Sequence, residues 1–84
     1  MNKRNLTREQ VAKIIEDFLE GTGGEWDWEA FTDGYPLSDS RLEEIRLRSM
    51  SLPTEFPPTT RREYTNEQGR HILRQYVKEL RTLN

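Results

Sequence analysis

The apolar residues of this chain recur at helical spacing in three places. Val11, Ile14, Ile15, Phe18 and Leu19 fall at i, i+3, i+4, i+7 and i+8, which lays one apolar stripe along a helix. Thr7 and Gln10 have the spacing of a capping box, and Leu6 and Val11 that of a hydrophobic staple. Gly21 is a natural stop, because left-handed backbone carries no Cβ penalty there. The first helix is therefore predicted over 7–20. In the second place Leu42, Ile45 and Leu52 mark an inner face with Ser49 between them, while Leu47 lies on the far side, about 140° from Leu42. That helix is predicted over 38–50, opened at Ser38 with Asp39 in its first turn and stopped by Pro53. In the third, Gly69, Ile72, Leu73, Tyr76, Val77 and Leu80 share one face of a helix over 65–82, for which Thr65 and Gln68 supply a capping box.

Two stretches lie between these stripes. After the glycines at 21, 23 and 24 comes Glu25-Trp26-Asp27-Trp28-Glu29-Ala30-Phe31, which holds both tryptophans of the chain. Asp27 is placed to cap a short helix over 27–32 whose Trp28 and Phe31 share a face. So short a helix holds only by burying its aromatics. Residues 53–64 carry three prolines within six residues and read as an extended strap, pinned by Phe56. The expected fold is all-α: three main helices, one short Trp-containing helix and the strap. The first and last helices pack antiparallel around the Trp segment. The expected core is Val11, Ile14, Ile15, Phe18, Trp28, Phe31, Leu42, Ile45, Phe56, Ile72, Leu73, Tyr76, Val77 and Leu80.

Length makes this one domain, 1–84, with residues 1–5 as an unstructured tail. A chain of 84 residues buries about 60–65% of its unfolded surface, so each large aromatic matters. With no cysteine, disulfides, thiolate metal sites and thiol catalysis are all excluded. No apolar run approaches membrane-spanning length and no secretory leader is recognisable, so a cytoplasmic location is expected. The net charge of -2 conceals an uneven distribution. Residues 14–40 contain eight acids and no Lys or Arg, whereas residues 61–84 contain six bases and three acids.

Candidate chemistry is sparse. Asp27, Glu29, Asp33 and Asp39 lack the alternating ligands of a calcium loop, since Phe31 falls where a ligand belongs. Metal binding is not expected, and neither is any cofactor. His71 is the sole histidine, without a mapped carboxylate partner. The glycines at 21–24 follow a helix and are flanked by acids, which repel phosphate. The chain contains no nucleophile elbow, phosphate loop or zinc-protease motif, so no catalytic residue is assigned and no enzyme is expected. Two surfaces remain. One is acidic and aromatic: Glu25, Trp26, Asp27, Glu29, Asp33 and Tyr35, suited to a protein partner. The other is a basic stripe, Arg70, Arg74, Lys78 and Arg81, following Arg61 and Arg62 and suited to nucleic-acid phosphates.

The run Gly23-Gly24-Glu25-Trp26-Asp27-Trp28-Glu29-Ala30-Phe31, with Pro36-Leu37-Ser38-Asp39, Leu42, Ile45, Tyr64, Asn66, Glu67 and Gly69, resembles a group of short bacterial proteins of unknown function. The resemblance covers residues 18–77. It implies a bacterial protein in which the Trp motif is a family feature, and it implies no activity. In length, acidic character, short third element and a Gly opening the last helix, the chain is also similar in architecture to the four-helix immunity proteins that neutralise nuclease bacteriocins. It lacks their tyrosine pair. The expected function is a small non-enzymatic protein-interaction module. The alternatives are an immunity-type inhibitor and a nucleic-acid accessory protein.

Overall fold

A computed structural model describes residues 3–24, 27–61 and 63–82. The described residues form four helices and no strand: α1 (Arg8–Glu20), α2 (Asp27–Asp33), α3 (Ser40–Glu55) and α4 (Glu67–Thr82). The all-α architecture is the one that the apolar spacing indicates.

The start of α1 forms as its sequence dictates. Thr7 Oγ1 accepts from the Gln10 backbone N–H at 3.1 Å, and Gln10 Oε1 accepts from the Thr7 N–H at 2.8 Å. Gly21 ends the helix at φ 70°, and the Thr22 N–H closes onto the Asp17 carbonyl at 2.9 Å. The apolar faces of α1 and α4 meet as the main interface of the molecule. Arginine contacts at the two ends report their antiparallel sense. Arg81 near the end of α4 reaches Glu9 and Glu16 of α1 at 3.0 and 2.6 Å, and Arg70 near the start of α4 donates to the Leu19 carbonyl at 2.8 Å. Across the bundle Arg41 holds Glu79 with two hydrogen bonds, 2.8 and 2.7 Å, which joins the start of α3 to the end of α4.

Two helix starts differ from the expected caps. α3 begins at Ser40 with Asp39 as its N-cap, whose carboxylate accepts from the Leu42 N–H at 3.0 Å. α4 begins at Glu67, and Asn66 Oδ1 accepts from the Gln68 and Gly69 N–H groups. Thr65 turns inward instead. It is fully buried, and its hydroxyl donates toward the Phe56 and Leu52 carbonyls at the end of α3. Gly69 is explained by the same residue. A Cβ there would meet the Thr65 methyl at 2.7 Å, so the helix interior gives up propensity to let Thr65 lie against it.

The end of α3 corrects the expected strap. The helix does not stop at Pro53; it runs through it to Glu55. A proline inside a helix lacks the N–H owed to the carbonyl four residues back, here Ser49. That carbonyl is served by the Tyr64 hydroxyl, which donates to it at 2.9 Å. The connection therefore starts at Phe56, three residues later than expected. It is not uniformly extended, because Glu63 bends back to bond the Thr59 backbone and hydroxyl.

The core contains Val11, Ala12, Ile15, Trp28, Phe31, Leu37, Leu42, Ile45, Leu52, Leu73 and Leu80. Ala12 and Leu37 join it beyond expectation, and Leu52 is buried as its place on the inner face of α3 indicates. Ile14, Phe18, Phe56, Ile72, Tyr76 and Val77, expected inside, are half-buried at its edge. Leu47 faces solvent as its angular position requires. The expected tail is tied down at Arg4. Its N–H donates to the Pro36 carbonyl and its own carbonyl accepts from Ser38, both at 2.9 Å.

Removing the Tyr64 hydroxyl tests the account of Pro53. Tyr64→Phe is expected to cost about 1–3 kcal/mol, the penalty of an unserved buried carbonyl. In a Pro53→Ala background residue 53 regains an N–H for Ser49, and the cost of Tyr64→Phe is expected to shrink toward zero. A urea-unfolding double-mutant cycle measures this coupling; equal costs in the two backgrounds would refute it.

Candidate functional site: an acidic cleft on an aromatic floor

The short helix α2 does not stand by itself. It has no basic residue in its own last turn, and its C-terminal carbonyls are served from elsewhere in the chain. Arg4 donates from one guanidinium nitrogen to the Ala30 carbonyl at 3.0 Å and from another to the Phe31 carbonyl at 2.8 Å; its Nε reaches the Tyr35 carbonyl at 2.8 Å. Arg46 donates to the Thr32 carbonyl at 2.7 Å. Arg46 is itself buried and held by Glu43 through bonds of 2.7 and 2.6 Å, while Glu43 also accepts from the Leu37 N–H. The bond to Arg46 holds the Glu43 carboxyl below the usual carboxylate range, and its bond to Glu43 raises the Arg46 guanidinium. Gly34 leaves room here, since a Cβ would sit 2.6 Å from the Ala30 carbonyl oxygen and 2.7 Å from the Arg4 guanidinium carbon.

Held in this way, α2 turns Trp28 and Phe31 inward. Phe18 of α1 stacks on Trp28 with ring centroids 4.1 Å apart and planes within 13°. Tyr64 meets both rings edge-on, at 5.5 and 5.6 Å. Burial pushes the Tyr64 phenol upward, and its hydroxyl donates to the Ser49 carbonyl. The Trp28 indole N–H is buried and has no acceptor at hydrogen-bonding geometry among the described residues.

Above this floor lies a cleft of about 420 Å³ between the end of α1 and the outer face of α2. Phe18, Trp28 and Tyr64 line it, and so do four carboxylates: Asp17, Asp27, Glu29 and Asp33. None of the described residues lining it is basic. The four acids differ in what they already hold. Asp17 pairs with Lys13 at 2.9 Å and accepts from Thr22, and the Lys13 bond holds its carboxyl below the ordinary range. Asp27 reaches back to the Gly24 N–H at 2.8 Å, so it serves the entry to α2 rather than capping forward. The carboxylates of Glu29 and Asp33, four residues apart on one helical face, have no hydrogen-bond or ion-pair partner among the described residues. Asp33 also ends its helix, where the dipole disfavours a carboxylate.

Of the residues read from sequence as a partner surface, the structure brings Asp27, Glu29 and Asp33 together. Glu25 and Trp26 lie outside the described residues. Tyr35 is 60% exposed but does not line the cleft. Asp17 and Tyr64 were not anticipated. Asp17 belongs to the unbroken acidic run of residues 14–40, which was the available signal, whereas nothing local marks Tyr64. The basic stripe is largely engaged: Arg81 with Glu9 and Glu16, Arg74 with Glu67 at 2.6 Å, and Arg70 with Leu19. Lys78 is exposed. His71 is exposed beside Ile72. Among the described residues, no three His, Asp or Glu side chains are grouped to hold a metal ion, and no helix is long and apolar enough to cross a membrane.

No protein-family model, curated protein or solved structure matches the chain.

The floor and the rim of the cleft are expected to separate energetically. Trp28→Ala should cost about 3–5 kcal/mol, a large part of the stability of so small a domain. The double variant Glu29→Gln/Asp33→Asn should stay within about 0.5 kcal/mol of the parent, because neither side chain is committed to the fold. Guanidinium unfolding followed by circular dichroism checks both; a large loss in the double variant would make these acids structural.

Proposed function

We propose that this chain is a non-enzymatic protein-interaction module whose working surface is the cleft over Phe18, Trp28 and Tyr64. The observation that carries the reading is the pair Glu29 and Asp33, whose carboxylates have no partner among the described residues and which line a cleft together with Phe18, Trp28 and Tyr64. Arg4, Arg41, Arg46, Arg70, Arg74 and Arg81 hold partners within the fold, so none of them is the counter-charge for these two acids. Rigid aromatic surface beside unsatisfied charge is what interface hot spots use. An immunity-type inhibitor of a basic protein falls within this class. The nucleic-acid reading has less support, because three of the four bases it requires hold partners inside the protein.

The test compares two baits in extracts of the host cell: the parent chain and Glu29→Lys/Asp33→Lys. The parent should capture a discrete protein in stoichiometric amount, and the reversed variant should lose it while its thermal melt is unchanged. Capture of the same proteins by both baits, or of none by either, contradicts the reading.

A further inference from the structure

Resting on the reading of the cleft as a protein-binding surface, we infer that its occupant is an arginine side chain carried by a basic segment of the partner. Three features converge on that chemistry. First, charge: the described lining contains four carboxylates and no base, so an anionic or neutral segment would leave it unbalanced. Second, the two acids without partners among the described residues share a helical face. Glu29 and Asp33 stand one helical turn apart on the same face, and a guanidinium presents planar paired donors that engage carboxylate oxygens at two points. Third, the surface beneath is aromatic. Phe18 and Tyr64 are half-buried at the cleft and Trp28, only 8% exposed, also lines it, so a cation entering the cleft meets ring surface as well as the backbone of Gly21, Gly23 and Gly24. A guanidinium stacks on such rings and sheds water more readily than an ammonium, which favours arginine over lysine.

The protein already binds guanidinium groups in related ways. Arg46 lies between Glu43 and the end of α2, and Arg41 grips Glu79 while lying 5.6 Å from the Tyr76 ring centre. The second of these pairs a carboxylate with an aromatic face around one guanidinium. The cleft offers the same two elements with no guanidinium among its described lining residues.

The test uses the intact chain and three synthetic peptides, alternating glycine with arginine, lysine or glutamate. Amide chemical shifts and tryptophan fluorescence are followed in titration. The arginine peptide should shift amides of Asp17, Phe18 and residues 27–33, and bind more tightly than the lysine peptide; the glutamate peptide should not bind. Glu29→Gln/Asp33→Asn should weaken the arginine peptide by about tenfold or more, the change expected on losing a charge-assisted hydrogen bond. Affinity should fall as salt rises from about 50 mM to about 500 mM, where screening shortens to a few ångströms. Equal binding of the lysine peptide, or shifts centred on α4, would overturn the inference. So would capture of a protein partner that is insensitive to salt and not displaced by the arginine peptide, and in that case the protein-binding reading would survive. Arginine-peptide binding with no protein captured would reverse that outcome: the cleft would stand as a guanidinium site and the interaction-module reading would fall.

Discussion

The structure depends on how the C-terminal end of α2 is closed. A helix of seven residues is too short to persist in water without outside support. Its last carbonyls would be unserved and its negative end uncompensated, since the chain supplies no base within that turn. Arg4 arrives from before α1 and Arg46 from α3, and between them they bond the carbonyls of Ala30, Phe31 and Thr32. Residue 34 is glycine where a Cβ would meet both the Ala30 carbonyl and the Arg4 guanidinium bonded to it. Two guanidinium groups, drawn from distant parts of the sequence, thus hold the segment that carries Trp28 and Phe31 into the core.

The same arrangement shapes the surface. Arginines serve mainly as internal ties: α1 to α4 through Arg81 and Arg70, α3 to α4 through Arg41, α2 to its neighbours through Arg4 and Arg46. Positive charge is spent on joining elements, and the outer face of α2 is left with carboxylates alone among its described residues. Aromatic packing below makes that face rigid, because Phe18, Trp28 and Tyr64 contact one another as a set. A short helix that is anchored at its end and backed by stacked rings can present Glu29 and Asp33 in fixed positions. Preorganisation of this kind lowers the cost of ordering an interface.

What was legible in the sequence was local. The Thr7–Gln10 box, the stop at Gly21 and the stripes on α1 and α4 depend on neighbours a few residues apart, and spacing reveals them. What was missed depends on distant contacts. Pro53 reads as a helix stop until Tyr64 is seen to serve the Ser49 carbonyl. Thr65 reads as a cap until its hydroxyl is found beneath the end of α3, with Gly69 cut away to admit it. Arg4 reads as tail because nothing near it in sequence explains a cation there. At the cleft, the acids of α2 were visible as a run without bases. Their meeting with Asp17 and Tyr64 required the turn at residues 21–24 and the connection after α3 to bring three segments together.

The claim that long-range arginine bonds hold α2, and through it the cleft, is tested most directly by native-state amide hydrogen exchange on Arg4→Met. The account predicts that protection of the Phe31 and Thr32 amides falls by about tenfold or more relative to Ile15 and Leu73, because local opening of α2 becomes easier while the α1–α4 interface is untouched. Protection that stays uniform across α1, α2 and α4 would contradict it.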